Sequence, residues 1–321
     1  MSTTPFEHPS AENSTNVRTQ KRPSRPRHAR APYAVRAPVA LMERWSPEWL
    51  ARAAMPLMFR TRRHEAPAWE KELLRTARPL ELWAPRRVRA WTWGAAGPTV
   101  LLVHGWNGRG TQLGAFVAPL VERGYKVVAL DAPGHGASPG SGASIFHFAD
   151  AIDAALDATR PLFGPARAVI AHSFGGAATT LAMSRRLREP TTPLERALEP
   201  RRLPAERFVF VAPPIDVRDW IGTFAWAIGA GPRLEEALRK RIEDRFGVPL
   251  ASLYAPALAR DIDAPMLLVH DEEDRDVPVE RGRLLAASWS GAELLVTRGL
   301  GHTRILKEPT VVERVVDFVT R

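Results

Sequence analysis

The chain has 321 residues, 45% of them hydrophobic and 25% charged, enough to bury a large core as one α/β domain with an insertion or as two modest domains. It contains no cysteine, which excludes disulfides, thiolate metal sites, iron–sulfur clusters and a cysteine nucleophile. The net charge of +10 invites a nucleic-acid reading, but half of the excess sits in one tail and the rest is scattered, so no specific nucleic-acid recognition is expected.

Residues 1–38 are polar, proline-rich and basic, with Arg18, Lys21, Arg22, Arg25, Arg27, Arg30 and Arg36 against Glu7 and Glu12. Such a segment buries too little apolar surface to offset its ordering entropy, so a disordered tail is expected. Its charge leaves room for a weak contact with an anionic membrane surface. The first residues lack the apolar stretch of a secretory signal, and no apolar run reaches the ~18 residues of a membrane span. A cytoplasmic location is the resulting expectation. Residues 39–78 read as a helical arm. Ser46, Pro47 and Glu48 form a helix start, and Trp49, Leu50, Ala53, Ala54, Leu57 and Met58 recur at helical spacing, with Pro56 expected to bend or end the helix. Either this arm packs on the main domain, or it is an interfacial membrane helix beside the basic tail.

From residue 79 the pattern changes. "LELW" and "RVRAWTW" alternate on either side of "APRR", which predicts an antiparallel hairpin. Six apolar runs follow, at residues 99–105, 125–131, 166–173, 207–214, 265–271 and 292–299, as expected of strands covered on both faces. Helical patterns lie between them, at about 111–123, 145–160, 175–188 and 310–320. Strand alternating with helix predicts an α/β fold: a doubly wound, mostly parallel sheet with helices on both faces. The stretch from about 215 to 263 is longer than a connection needs. It carries Trp220, Ile221, Phe224, Ala225 and Ile228 at helical spacing, then a charged helix, and reads as a small helical cap over the carboxyl ends of the strands.

One short stretch carries chemistry. In Ala171-His172-Ser173-Phe174-Gly175 a predicted strand ends and a predicted helix begins. A serine hydroxyl is a poor nucleophile unless it projects from the strand end beside a base. A tight strand-to-helix turn achieves that projection and tolerates only small residues two positions to either side. Ala171 stands where glycine is usual in G-x-S-x-G. The other reading is a strand ending in a turn rich in small residues.

With that motif in place, residues 80–321 resemble the α/β-hydrolase superfamily, with "LLVHGW", "VVALDAPGHGAS", "AHSFGG", "VHDEEDRDVP" and "GLGHTRIL" as its landmarks in order. The resemblance implies the order nucleophile, acid, base. It implies Ser173 as nucleophile and His302 as general base, with His270 a packed or hydrogen-bonded residue. It implies Asp274, four residues before Pro278, as the orienting acid, with Asp276 as runner-up and Asp216 as a weaker third. The oxyanion donors it implies are the N–H groups of Phe174 and Trp106. His135 is read as structural, and Arg109 as solvent-facing or, less favoured, touching an anionic substrate group. Trp220, Phe224 and Trp226 of the cap are candidate substrate-binding residues, or else cap core.

The function implied is a serine hydrolase that cleaves a small-molecule carboxylic ester through an acyl-enzyme. The same three groups could serve thioester, amide or C–C hydrolysis, lyase or perhydrolase chemistry, or the fold could be a non-enzymatic binding protein. No cofactor is expected: there is neither a P-loop nor a G-x-G-x-x-G after a strand. No metal is expected either, because the acidic run 271–276 lacks EF-hand spacing.

Overall fold

In the structure, a computed structural model that describes residues 30–188 and 203–321, the apolar runs form one eight-stranded sheet. A hairpin of β1 (Arg78–Trp83) and β2 (Arg87–Trp93) pairs antiparallel, with Trp83 opposite Arg87. β3 (Thr99–Val103), β4 (Lys126–Asp131), β5 (Ala168–His172), β6 (Phe208–Val211), β7 (Met266–Asp271) and β8 (Ala292–Thr297) follow. The spatial order is β1-β2-β4-β3-β5-β6-β7-β8. β2 runs antiparallel to β4, and every pairing from β4 through β8 is parallel.

Side-chain alternation splits the core between the two faces. Leu101, Val103, Val128 and Leu130 face Phe148 and Ile152, whereas Val100, Leu102, Val127 and Ala129 face Phe116, Leu120, Val315 and Phe318. Each such fully buried valine, leucine, isoleucine or phenylalanine contributes about 1.5–3 kcal/mol of transfer free energy. Because β3, β5, β6 and β7 are buried along their whole length, each carries an unbroken run of four apolar residues. β8, at the edge, is more open than β3–β7, and its exposed Glu293 pairs with Arg314.

Ahead of the sheet lie α1 (Tyr33–Trp45), α2 (Pro47–Met58) and α3 (Ala68–Arg75). Of the expected disordered tail, residues 1–29 lie outside the described residues. Its proposed boundary at 38 falls inside α1, which is anchored early by the Ala31 N–H donating to the Ala227 carbonyl at 2.8 Å. Pro56 does not stop α2 at once; the helix ends two residues later at Met58. α4 (Val117–Glu122), α5 (Ile145–Phe163) and α6 (Phe174–Arg188) cover the sheet.

The cap consists of α7 (Val217–Ile228), α8 (Pro232–Phe246) and α9 (Ala255–Ala259). α10 (Val279–Ser288), α11 (Gly301–Arg304) and α12 (Pro309–Thr320) complete the chain. α1 and α2 pack on the cap: the Glu43 carboxylate accepts from the N–H groups of Gly231 and Leu234 at 2.9 Å, which caps the start of α8. Among the described residues no helix is long and apolar enough to cross a membrane.

Candidate active site

Ser173 stands between β5 and α6 with φ at 50°, the left-handed region that a residue with a Cβ enters only when its surroundings force it. Its N–H donates to the Val211 carbonyl at 2.8 Å, and its carbonyl accepts from Gly176 at 2.8 Å. The turn is tight enough to dictate its neighbours. A Cβ on Gly175 would lie 2.6 Å from the His104 carbonyl oxygen, and one on Gly105 would lie 2.9 Å from the Ser173 Cβ. Ala171 is fully buried, and the extra methyl of alanine fits where glycine was the expected residue.

Two distant loops converge on this serine. Beyond β8, α11 carries His302, whose Nε2 lies 2.9 Å from Ser173 Oγ. His302 Nδ1 lies 2.7 Å from Asp274 Oδ2, in the loop after β7. The remaining Asp274 oxygen accepts from the N–H groups of Asp276 at 2.8 Å and Val277 at 2.9 Å. Burial pushes the Asp274 carboxyl up, but the His302 hydrogen bond and charge and these two N–H groups outweigh it and leave the pKa below the ordinary value. With Nδ1–H directed at a carboxylate, Nε2 is left as an acceptor for the serine hydroxyl.

Sequence reasoning missed the groups that hold this arrangement. Asp271 is fully buried. It accepts from Thr297 Oγ1 at 2.8 Å and from the Leu300 N–H at 3.0 Å, which ties the loop carrying His302 to β7. His172 donates from Nε2 to the His302 carbonyl at 2.9 Å, its ring 4.8 Å from the His302 ring. Its Nδ1 is buried and, among the described residues, has no hydrogen-bond partner, and burial above all, with His302 nearby, pushes its pKa down to about 3. A histidine beside the nucleophile is visible in the sequence, but its partner, 130 positions away, is not.

The other charged candidates fall into place around this core. His270 is buried and donates from Nε2 to the Val277 carbonyl at 2.9 Å. Asp276 lines the cavity in front of Ser173, and Asp216 caps α7 and pairs with Arg218. Asp274, Asp276 and His302 are the one group that, among the described residues, brings three potential metal-ligand atoms within 4.8 Å of one another. Two of the three side chains are already joined by the Nδ1–carboxylate hydrogen bond. Arg109 is only partly open to solvent and does not line the cavity in front of Ser173. Its Nε lies 2.8 Å from buried Glu70, and the guanidinium also binds the His64 carbonyl.

Trp106 is the first residue beyond the β3 loop glycine, and Phe174 opens α6. Among the described residues neither N–H is taken by a protein acceptor, and both residues line the cavity with Ser173. The Trp106 ring is fixed by edge contacts with His135 and Phe174, at 5.3 and 5.2 Å, and lies 5.9 Å from Trp220. Behind them, His104 donates to the Gly105 carbonyl at 2.6 Å and accepts from the Ala132 N–H at 3.0 Å. His135 donates to the Pro133 carbonyl at 3.0 Å.

The cavity in front of Ser173 measures about 310 Å³. A narrower, almost wholly apolar space of about 50 Å³ adjoins it, with Met58, Phe59, Phe146, Ile242 and Phe246 on its walls. Trp106, Phe174, Val217 and Trp220 border both spaces. Of the three candidate cap aromatics Trp220, Phe224 and Trp226, only Trp220 faces these cavities. Phe224 packs into the apolar core of the cap, and Trp226 lies beneath the Arg30 guanidinium at 4.8 Å. Asp216, Val217, Asp219, Trp220 and Thr223, at the start and in the first two turns of α7, border the site, whereas position 226 lies near the other end of the helix, beside Arg30.

The sheet order, the serine at the β5 turn and the loops after β7 and β8 define an alpha/beta hydrolase. The model of that family matches residues 100–315, and the chain belongs to it. Among curated proteins no sequence is significantly similar. Solved structures share the fold at low identity. An esterase from Pyrococcus furiosus superposes with a TM-score of 0.59 at 18% identity, over 82% of this chain and 98% of its own. An esterase from Exiguobacterium antarcticum gives 0.56 at 15%, over 76% and 100%. A putative lipase from Acinetobacter baumannii gives 0.58 at 16%, over 80% and 97%.

Proposed function

We propose that the protein is a serine hydrolase that cleaves carboxylic esters, with Ser173 as nucleophile, His302 as general base and Asp274 as the carboxylate that orients it. The observation that carries this reading is His302 bridging Ser173 Oγ at 2.9 Å and Asp274 Oδ2 at 2.7 Å. As Oγ attacks the carbonyl carbon, its proton passes to His302 Nε2, and Asp274 stabilises the imidazolium without taking the proton. The carbonyl oxygen gains the negative charge and is held by the N–H groups of Trp106 and Phe174, each worth roughly 3 kcal/mol to the transition state. Collapse of the tetrahedral species expels the alkoxide, which leaves as the alcohol with the proton from Nε2. Water, losing its proton to Nε2, then attacks the acyl-Ser173 ester and releases the acid.

An apolar acyl group is favoured by the lining of the space behind Trp106 and Trp220. The esterases that share the fold are consistent with ester chemistry. The test is twofold. A fluorophosphonate probe should label Ser173 in the folded protein and not Ser173→Ala, and p-nitrophenyl esters of graded acyl length should be turned over by the first and not the second. Failure to label overturns the reading. Labelling without turnover of any ester retains the nucleophile and moves the chemistry to another acyl bond.

A further inference from the structure

α1 is an amphipathic helix mounted with its polar side inward. Arg36, Val39 and Glu43 face the cap: Arg36 lies over Gly229, where an added Cβ would come within 2.6 Å of its side chain, and Glu43 caps α8. None of the α1 residues is fully buried. Its outer side carries Tyr33, Val35, Leu41, Met42 and Trp45, all exposed, and the next helix, α2, exposes Trp49 and Leu57. Trp45 is 79% and Trp49 67% exposed. Isolated apolar side chains on a surface need no explanation, but seven exposed on two consecutive helices, two of them tryptophans, do.

Charge identifies the occupant. Arg44 and Arg52 flank the apolar surface in the open, Glu48 is the one acid exposed on α1 and α2, and Glu43 is spent on the cap. The chain leading into the arm adds Arg18, Lys21, Arg22, Arg25 and Arg27 against Glu7 and Glu12, while Arg30 lies over Trp226 of the cap. Two copies meeting through this surface would bring like charges together. A bilayer with anionic headgroups would meet the basic residues with opposite charge, accept the apolar side chains below the headgroups and seat the indoles at the boundary. An apolar helix face and a polybasic segment are also the two signals that together give stable rather than fleeting attachment.

We propose that the outer face of α1 and α2 docks on an anionic membrane surface, with Trp45 and Trp49 as its anchors. Docking requires no turnover, so its test stands apart from that of Ser173. The full chain is sedimented with vesicles of phosphatidylcholine alone and of equimolar phosphatidylcholine and phosphatidylglycerol. The protein is expected to bind the mixed vesicles, less strongly as salt is raised, and not the neutral ones. Trp45→Ser combined with Trp49→Ser should weaken binding about tenfold or more, with the melting temperature unchanged because both side chains are exposed. Trp83→Ser, equally open but on the β1 edge, should leave binding intact. Three results would overturn the proposal: no binding to the mixed vesicles, equal binding to neutral vesicles, or undiminished binding by the double variant. A solution dimer dissolved by the double variant, in a protein that ignores vesicles, would assign the surface to a second copy instead.

Discussion

At the scale of single residues, burial and hydrogen bonding decide which form each group around Ser173 takes. Asp274 is held ionised by His302 and by two backbone N–H groups, so its negative charge is present at neutral pH. Asp274→Asn would preserve the shape but offer Nδ1 a side chain that can turn its NH₂ toward the ring and fix the wrong tautomer. A fall in kcat of about 10⁴ with the fold retained is expected, read from ester hydrolysis alongside circular dichroism. The three side chains were legible because each follows a strand end and sits in a motif. The cap aromatics show the limit of that reading. Spacing places Trp220, Phe224 and Trp226 on a helix, but which part of the helix borders the site depends on how the cap is docked, and of the three only Trp220 lies there.

At the scale of elements, the strand-to-helix turn and the arm-to-cap contact each rest on a close fit. Gly175→Ala would drive a methyl against the backbone oxygens of Val103 and His104. The expected cost is about 1–3 kcal/mol, measured as a lower urea midpoint, with turnover reduced further because Ser173 is displaced. Glu43→Ala would leave the first N–H groups of α8 without their carboxylate. That loses about 1 kcal/mol locally, and faster amide exchange in α1 and at the start of α8 would report it while the sheet amides stay protected. The strands of the parallel sheet could be read from sequence because burial on both faces leaves an unbroken apolar run. The start of α1 could not. Its alanines and prolines resemble the segment before it, and the contact that anchors it, with Ala227, is remote in the chain.

Across the whole molecule, histidines whose pKa burial lowers make the fold sensitive to acid. Burial lowers His104 to about 4, and His135 and His172 to about 3, from an ordinary value of 6.5. Between roughly pH 6.5 and those values the unfolded chain binds protons that the native state refuses, so stability falls as pH drops through that window. Each histidine contributes a slope approaching 1.4 kcal/mol per pH unit. Urea midpoints should therefore decline steeply from pH 6 to pH 4, and His135→Asn, which removes one of these groups, should show a shallower decline.

Met58 and Phe59 form part of the wall of the narrow space that Trp106 also borders, yet they belong to the end of the arm and the residue after it, not to the sheet or the cap. A ligand that reaches that wall therefore gains contacts only while the arm is seated, and mass action then favours the seated arm by RT ln(1 + [L]/Kd). Occupancy of the interior and attachment of the outermost helices are in this way two readings of one equilibrium, and a compound that fills the space should slow proteolysis of the arm in proportion to its affinity.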